Sequence, residues 1–258
     1  MKREHIVSVD PSRCIGCKLC VSDCPTSAIR MLDGKAVATM QGCIVCGHCQ
    51  AICPQAAVSI SGFDEAPEEI TPEMHVDPAK LLGQLKARRS VRQFSGREIA
   101  PELIDQIIEA GRYTPTGTNS QNVSYAVLRE HISDYEAPAI HTFQRLKRVI
   151  DLVYSGTRNI QIDDHFLFKN AKAVIVIKGE DKVNAALAAS SMELMAQSLG
   201  LGVFYSGFFT MVLRVSPKLR KKLGIRRGEQ AVTTLVLGYP AVKYQRTAQR
   251  ETPDVLFD

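Results

Sequence analysis

After Cys53 the chain contains no further cysteine, although all eight lie within its first 53 residues. No run reaches the roughly 18 apolar residues that a membrane span requires. The opening MKREHIVSVD has no apolar stretch behind its positive charges, so a secretory signal is not expected. The dinucleotide fingerprint G-x-G-x-x-G behind a strand is missing, and no Ser-His-Asp or Cys-His constellation stands out for nucleophilic catalysis. The histidines, at 5, 48, 75, 131, 141 and 165, are scattered and read as surface residues. These absences predict a cytoplasmic protein with no membrane role. In that reducing compartment clustered cysteines bind metal or carry out redox chemistry rather than form structural disulfides.

What is present begins with those cysteines. CIGCKLCVSDCP (14–25) and CIVCGHCQAICP (43–54) repeat one spacing, Cys-x2-Cys-x2-Cys-x3-Cys-Pro, with Cys14 and Cys43 in equivalent places. Three thiolates three residues apart can line a tight loop and grip three corners of a cubane, while the Cys-Pro lies where the chain has left that loop. In two-cluster proteins this fourth cysteine serves the other cluster. Cys14, Cys17, Cys20 and Cys53 are therefore assigned to one [4Fe–4S] centre, and Cys43, Cys46, Cys49 and Cys24 to the second. Four-cysteine zinc sites are the competing reading, but they present two Cys-x2-Cys pairs rather than three evenly spaced cysteines and a Cys-Pro. His48 sits inside the second comb, where four thiolates already suffice, and is expected outside the ligand set. The similarity continues past the ligands, CPTSAI matching CPQAAV, as two copies of a loop–helix–strand unit would.

The 258 residues suit one large domain or two smaller ones, and 45% hydrophobic with 23% charged residues is ordinary globular composition. The formal charge of +5 counts cysteine as neutral. Two oxidised cubanes at about −2 each bring it to about +1, so no nucleic-acid partner is inferred.

From Ser61 the composition shifts. SGFDEAPEEITPEMHVDP holds three prolines and six acidic residues and reads as a solvated linker over 63–77. Asp77 and Pro78 then look like an N-cap and first helical residue, opening a helix through AKLLGQLKARR with Leu81, Leu82 and Leu85 on its inner face. Helix and strand signals alternate thereafter. PELIDQIIEAGRY is helical; SYAVLRE from 124 is a strand; 134 to about 154 is helical, interrupted or begun near Pro138. AVIVIK (173–178) is a strand buried on both faces, VNAALAASSMELMAQSLG a long helix rich in small residues, and AVTTLVLGYP from 231 a last central strand.

Four stretches in this second part are weak singly and informative in combination: RRSVRQF, TPTGTNSQN, GLGVFYSGFF and a late GYP…KYQR. Residues 1–62 resemble bacterial-type ferredoxins with two [4Fe–4S] clusters. Residues 78–258 form a second domain that, over roughly 78–250, resembles the FMN-dependent nitroreductase family, whose long central helix is similar to NAALAASSMELMAQSLGLG. The fold class implied is α+β: a small ferredoxin-like domain, then an α/β layered domain with a central mixed sheet flanked by helices. The resemblance implies that Arg88, Ser90 and Arg92 contact the phosphate and ribityl chain of FMN, with Arg89 adjacent. It further implies that Asn119 hydrogen-bonds the pyrimidine side of the isoalloxazine ring. Arg246 would return to the phosphate, with Lys243 a weaker candidate, and the Gly207 N–H would face flavin N5. Ser206 stands where some relatives carry glutamate, and Asn122 follows the Asn-Ser-Gln loop where Pro-Trp is common. His165 and Phe166 could border a substrate pocket.

The expected activity is that of an iron–sulfur flavoprotein oxidoreductase. Electrons would pass from reduced ferredoxin or NAD(P)H through two clusters to FMN, and on to a small electrophilic acceptor such as a nitroaromatic or a quinone. The alternatives are a carrier that hands electrons to a protein, and a flavin-modifying or dehalogenating relative. Family resemblance also implies a homodimer with FMN at its interface, where the small-residue helix from 183 would lie unless its alanines pack within the chain.

Overall fold

The computed structural model describes residues 4–153 and 159–258. The chain divides into two compact units, Met1–His75 with Thr116–Ser120, and Val76–Pro115 with Gln121–Asp258.

In the smaller unit β1 (Val7–Val9), α1 (Leu19–Ser22) and β2 (Ile29–Leu32) are followed by β3 (Lys35–Ala38), α2 (His48–Ala51) and β4 (Val58–Ile60). β1 pairs antiparallel with β4, and β2 with β3. The repeat seen in sequence is also a repeat of backbone conformation. Gly16, Lys18 and Ser27 have φ of 71°, 66° and 55°, and their counterparts Val45, Gly47 and Ala56 have 53°, 78° and 44°. Left-handed backbone turns each loop around its thiols. It is free for glycine but costs about 1–2 kcal/mol for other residues. Cys14 and Cys20 lie in a small core with Ile29, Ala36 and Ala57.

The larger unit contains α3 (Pro78–Ala87), α4 (Pro101–Arg112), β5 (Val123–Leu128), α5 (Ser133–Val153), β6 (Ala173–Gly179), α6 (Lys182–Ser198), β7 (Gly202–Tyr205), α7 (Gly207–Val215), α8 (Pro217–Lys222) and β8 (Gln230–Gly238). The sheet order is β5-β6-β8-β7, every ladder antiparallel. Among the described residues its parallel component is a single bridge between Ser90 and Val203. All seven residues of β6 are buried, and alternation sends them to two cores. Val174 and Val176 pack with Phe143, Phe209 and Leu213 of α5 and α7, while Ile175 and Ile177 pack with Ile107, Ala189 and Met192 of α4 and α6. The unit is therefore helix, sheet, helix in layers, with the apolar run of β6 explained by cover on both faces.

Local signals fix the helix ends. Asp77 caps α3, accepting from Lys80 N at 2.8 Å, and Asp181 caps α6, accepting from Val183 N and Asn184 N. α6 stops at Gly200 (φ 80°), where Leu201 N donates to Ala196 O and Gly200 N to Gln197 O, the paired closure that a left-handed glycine permits. α5 runs through Pro138 without a break.

Two expectations change. Leu81, Leu82 and Leu85 are exposed, at 41%, 51% and 44%; helical spacing puts them together but does not say which way they face, and α3 is instead tied down by Gln84 Nε2 donating to Leu194 O at 2.9 Å. The small residues of α6 are used within the chain, since Ala185, Ala188, Ala189 and Ala196 are buried in it. No helix among the described residues is long and apolar enough to cross a membrane.

Candidate functional site

All eight cysteines are free thiols, and they line two separate cavities. One is bounded by Cys14, Cys17, Cys20 and Cys53, the other by Cys24, Cys43, Cys46 and Cys49. Each comb thus contributes its first three cysteines to one cavity and its fourth to the other, the crossed arrangement read from the spacing. The electrostatics report the same grouping. Burial pushes the Cys20 thiol up, and after it the proximity of Cys53, Cys17 and Cys14 adds to the rise; burial and the neighbouring Cys46 do the same for Cys49. Gathering four thiolates is unfavourable until a cation is placed among them. Among the described residues no three His, Cys, Asp or Glu side chains converge as a single ion requires. Four cysteines around each cavity are the donor set that a [4Fe–4S] cluster takes.

Backbone N–H groups already point at the sulfurs. Ala28 N donates to Cys24 Sγ and Ala57 N to Cys53 Sγ, both at 3.3 Å, again one bond per repeat. Ala36 N donates to Cys14 Sγ at 3.4 Å, and this bond with one from Gly16 holds the Cys14 thiol below its ordinary value. Val45 N donates to Cys43 Sγ at 3.4 Å. His48 also lines the second cavity, and its Nδ1 lies 3.0 Å from Asp23 Oδ2.

In the larger unit the RRSVRQF strip leaves α3 and runs beside β7, with Val91 N donating to Val203 O. Arg88 and Arg89 line an open cavity of about 270 Å³ together with Gly202, Val203, Pro240 and Tyr244. Arg88 Nη1 is 2.6 Å from Glu193 Oε2, whose side chain is 5% exposed, and the Tyr205 hydroxyl donates to the same oxygen at 2.9 Å. Burial, then the Glu193 carboxylate, pushes the Tyr205 hydroxyl well above its ordinary range. Arg89 lies over the Tyr244 ring, whose hydroxyl reaches Ser90 O at 3.5 Å. Arg92 faces the Phe204 ring and approaches Ser90 O. Arg246 and Lys243 are exposed on the C-terminal segment.

Ser206 and Gly207 form the entry to α7. The Ser206 hydroxyl donates to Leu167 O at 2.9 Å and does not cap the helix. Nothing lies within 4 Å of where a Gly207 Cβ would be. The head of α7, the positive end of a helix, thus leaves room beside Gly207. Asn122 Oδ1 accepts from Asn184 Nδ2 at 3.1 Å, and His165 Nδ1 lies 3.8 Å from Glu136 Oε2. Asn119 belongs to the segment grouped with the smaller unit, and its Nδ2 donates to Ile44 O and Val45 O.

Sequence reasoning missed Glu193, Tyr205 and Tyr244. The available signal for Glu193 was that it is the single acidic residue in VNAALAASSMELMAQS, a carboxylate that an apolar helix keeps only with a partner.

Comparison with known proteins bears on both units. A profile of the 4Fe-4S dicluster domain matches residues 6–54, and that of the nitroreductase family matches 85–239. A provisionally named NADH dehydrogenase/NAD(P)H nitroreductase of Methanothermobacter thermautotrophicus is 26% identical over 67% of this chain and 86% of its own length. One component of an ion-translocating oxidoreductase complex from Methanosarcina acetivorans is 41% identical over 59 residues, 23% of this chain and 22% of that protein. Among solved structures, a nitroreductase with bound FMN from Bacteroides fragilis superposes with a TM-score of 0.58 at 20% identity, covering 69% of this chain and 99% of the other. The expected cofactor set, FMN and two [4Fe–4S] clusters, stands on these matches. The chain belongs to the nitroreductase family and carries a 4Fe–4S dicluster domain ahead of its flavin domain.

Proposed function

We propose that this protein takes electrons from a low-potential donor and passes them singly through its two clusters to FMN; reduced ferredoxin fits that route, whereas NAD(P)H, a two-electron hydride donor, would have to reduce FMN directly. From FMN the electrons reduce a small electrophilic acceptor, a nitroaromatic, a quinone or a similar conjugated compound. The observation that carries the reading is the pair of four-thiol cavities in one chain with a flavin-family unit. Two one-electron centres store what one two-electron reduction consumes. When bound, the clusters supply one-electron transfer and FMN the two-electron chemistry on the acceptor.

The protein's own part is to bind, orient and polarise. Arg88 and Arg89 are the proposed phosphate ligands, because a planar guanidinium grips a phosphate bidentately and stays charged at every working pH. Glu193 fixes the Arg88 fork from its buried side. Ser90 and Arg92 would meet the ribityl chain further along that strip, and Arg246 of the C-terminal segment would add a further cation at the phosphate. The Gly207 N–H at the head of α7 would donate to the ring edge where negative charge develops, a fixed donor that needs no reorganisation. Ser206, its hydroxyl committed to Leu167 O, acts through the backbone. A homodimer completing the flavin site is part of the proposal.

The test is anaerobic. Iron, sulfide and released flavin are quantified on one sample, the clusters are then reduced, and the flavin is followed by absorbance. About eight irons and one FMN per chain, with flavin reduction trailing cluster reduction and turnover of a small acceptor, are the expected results. Reduced clusters that leave the flavin oxidised would sink the proposal. Cluster and flavin reduction without small-molecule turnover, but with a stable protein acceptor, would make the chain a carrier.

A further inference from the structure

The two cysteine loops are copies that solve one backbone problem differently. Where the first loop has Gly16 at φ 71°, the second has Val45 at φ 53°. Glycine has no Cβ to meet the neighbouring carbonyl, whereas a β-branched residue is a poor occupant of that region. The first loop uses the freedom glycine provides, since a Cβ at Gly16 would lie 2.4 Å from Gly34 O. The second loop is clamped. Asn119 Nδ2 donates to Ile44 O at 3.1 Å and to Val45 O at 2.8 Å, the carbonyls on either side of the strained residue. Asn119 lies in Thr116–Ser120, which groups with the cysteine loops.

The Ile44 carbonyl and the Val45 N–H belong to one peptide unit, and that N–H donates to Cys43 Sγ at 3.4 Å. Amide, peptide and sulfur thus form a hydrogen-bonded chain. Donation into the carbonyl polarises the N–H at the other end, and N–H donors at sulfur favour the more negatively charged, reduced cluster.

We infer that Asn119 is a positioning residue for the second cluster: it holds the Ile44–Val45 peptide in the left-handed turn that aims its N–H at Cys43, and so raises that cluster's reduction potential. The inference rests on the eight cysteines being cluster ligands and is independent of the acceptor. It gives Asn119 work apart from the flavin contact that family resemblance implies.

The test compares wild type, Asn119→Ala, Val45→Gly and the double variant, purified anaerobically, with both clusters titrated against potential by EPR and with iron and flavin measured on the same samples. In Asn119→Ala one midpoint moves negative, by at most about tenfold in the reduction equilibrium, which is about 59 mV for one electron. The other stays in place, and the centre that moves is the one missing from Cys43→Ser. Adding Val45→Gly returns the midpoint, because glycine takes the turn unaided. Should Asn119→Ala lose that cluster outright, iron falls by half and Val45→Gly restores it. Midpoints that do not move, an equal shift of both, or a shift that Val45→Gly leaves uncorrected would overturn the inference. So would loss of flavin with both clusters unmoved, which would assign Asn119 to the flavin. Chains without iron would overturn the ligand assignment beneath it.

Discussion

Crossed ligation can be tested by pairing cysteine substitutions. Cys53 lines the cavity of Cys14, Cys17 and Cys20, while the rest of its own comb lines the other. Cys14→Ser with Cys53→Ser therefore damages one cavity twice and leaves the second with all four thiols. Cys43→Ser with Cys53→Ser damages each cavity once. If a three-thiol cavity releases its cluster, the first pair retains half the iron, about four atoms of about eight, and the second pair retains almost none. Ligation within each comb makes the opposite forecast, since Cys43 and Cys53 would then share a cluster and their joint loss would spare the other. The assay is iron and acid-labile sulfide per chain, normalised to FMN as an internal standard from a unit that neither substitution touches. Equal iron in the two double variants would refute the crossed arrangement.

Arg88→Ala should weaken flavin binding by about tenfold to a hundredfold, the worth of a charge-assisted hydrogen bond to phosphate, read as the FMN dissociation constant by fluorescence; unchanged affinity would remove Arg88 from the site. Gly111→Ala sets two effects against each other. Alanine gains about 1 kcal/mol of helix propensity, but its Cβ would lie 2.6 Å from the Tyr125 hydroxyl and 2.9 Å from Met192 Cγ and Sδ, and overpacking costs about 1–3 kcal/mol. Urea denaturation should show net destabilisation of about 1 kcal/mol, and a stabilised variant would mean that α4 and α6 are looser than they look. Glu136 accepts from Leu167 N and Phe168 N through one oxygen, and burial raises its carboxyl above the ordinary range despite those bonds. A raised folded value favours the protonated form, so its stabilising contribution is fully present in acid and lost as pH rises through that value. Glu136→Gln keeps an acceptor without the charge; it should be the more stable protein near neutrality and lose that advantage in mildly acid solution, whereas a pH-independent difference would contradict the burial argument.

The grouping of the cysteines around two cavities was legible because they are contiguous and their spacing is itself the geometry, down to the fourth cysteine of each comb lining the cavity of the other. The layers of the larger unit were legible for a related reason: an unbroken apolar run such as AVIVIK needs cover on both faces. What stayed hidden depends on direction or on distant partners. The leucines of α3 share a face whose orientation no spacing encodes. Glu193 meets Arg88 across 105 residues. The alanines of α6 suit a neighbouring helix in the same chain as well as one in a partner. Val45 looks like an ordinary apolar residue until the repeat is read as conformation, when it stands where its twin is glycine.

The strip that carries the arginines has a second consequence, for handling the protein. β7 is four residues long and lies at the end of the sheet order, and an open strand edge is an invitation to intermolecular pairing. Val91 N donates to Val203 O along that edge, and the bridge from Ser90 to Val203 covers it. Changes that loosen this strip would therefore first appear as poor yield, turbidity on concentration or inclusion bodies, and a preparation lost that way says nothing about affinity for flavin.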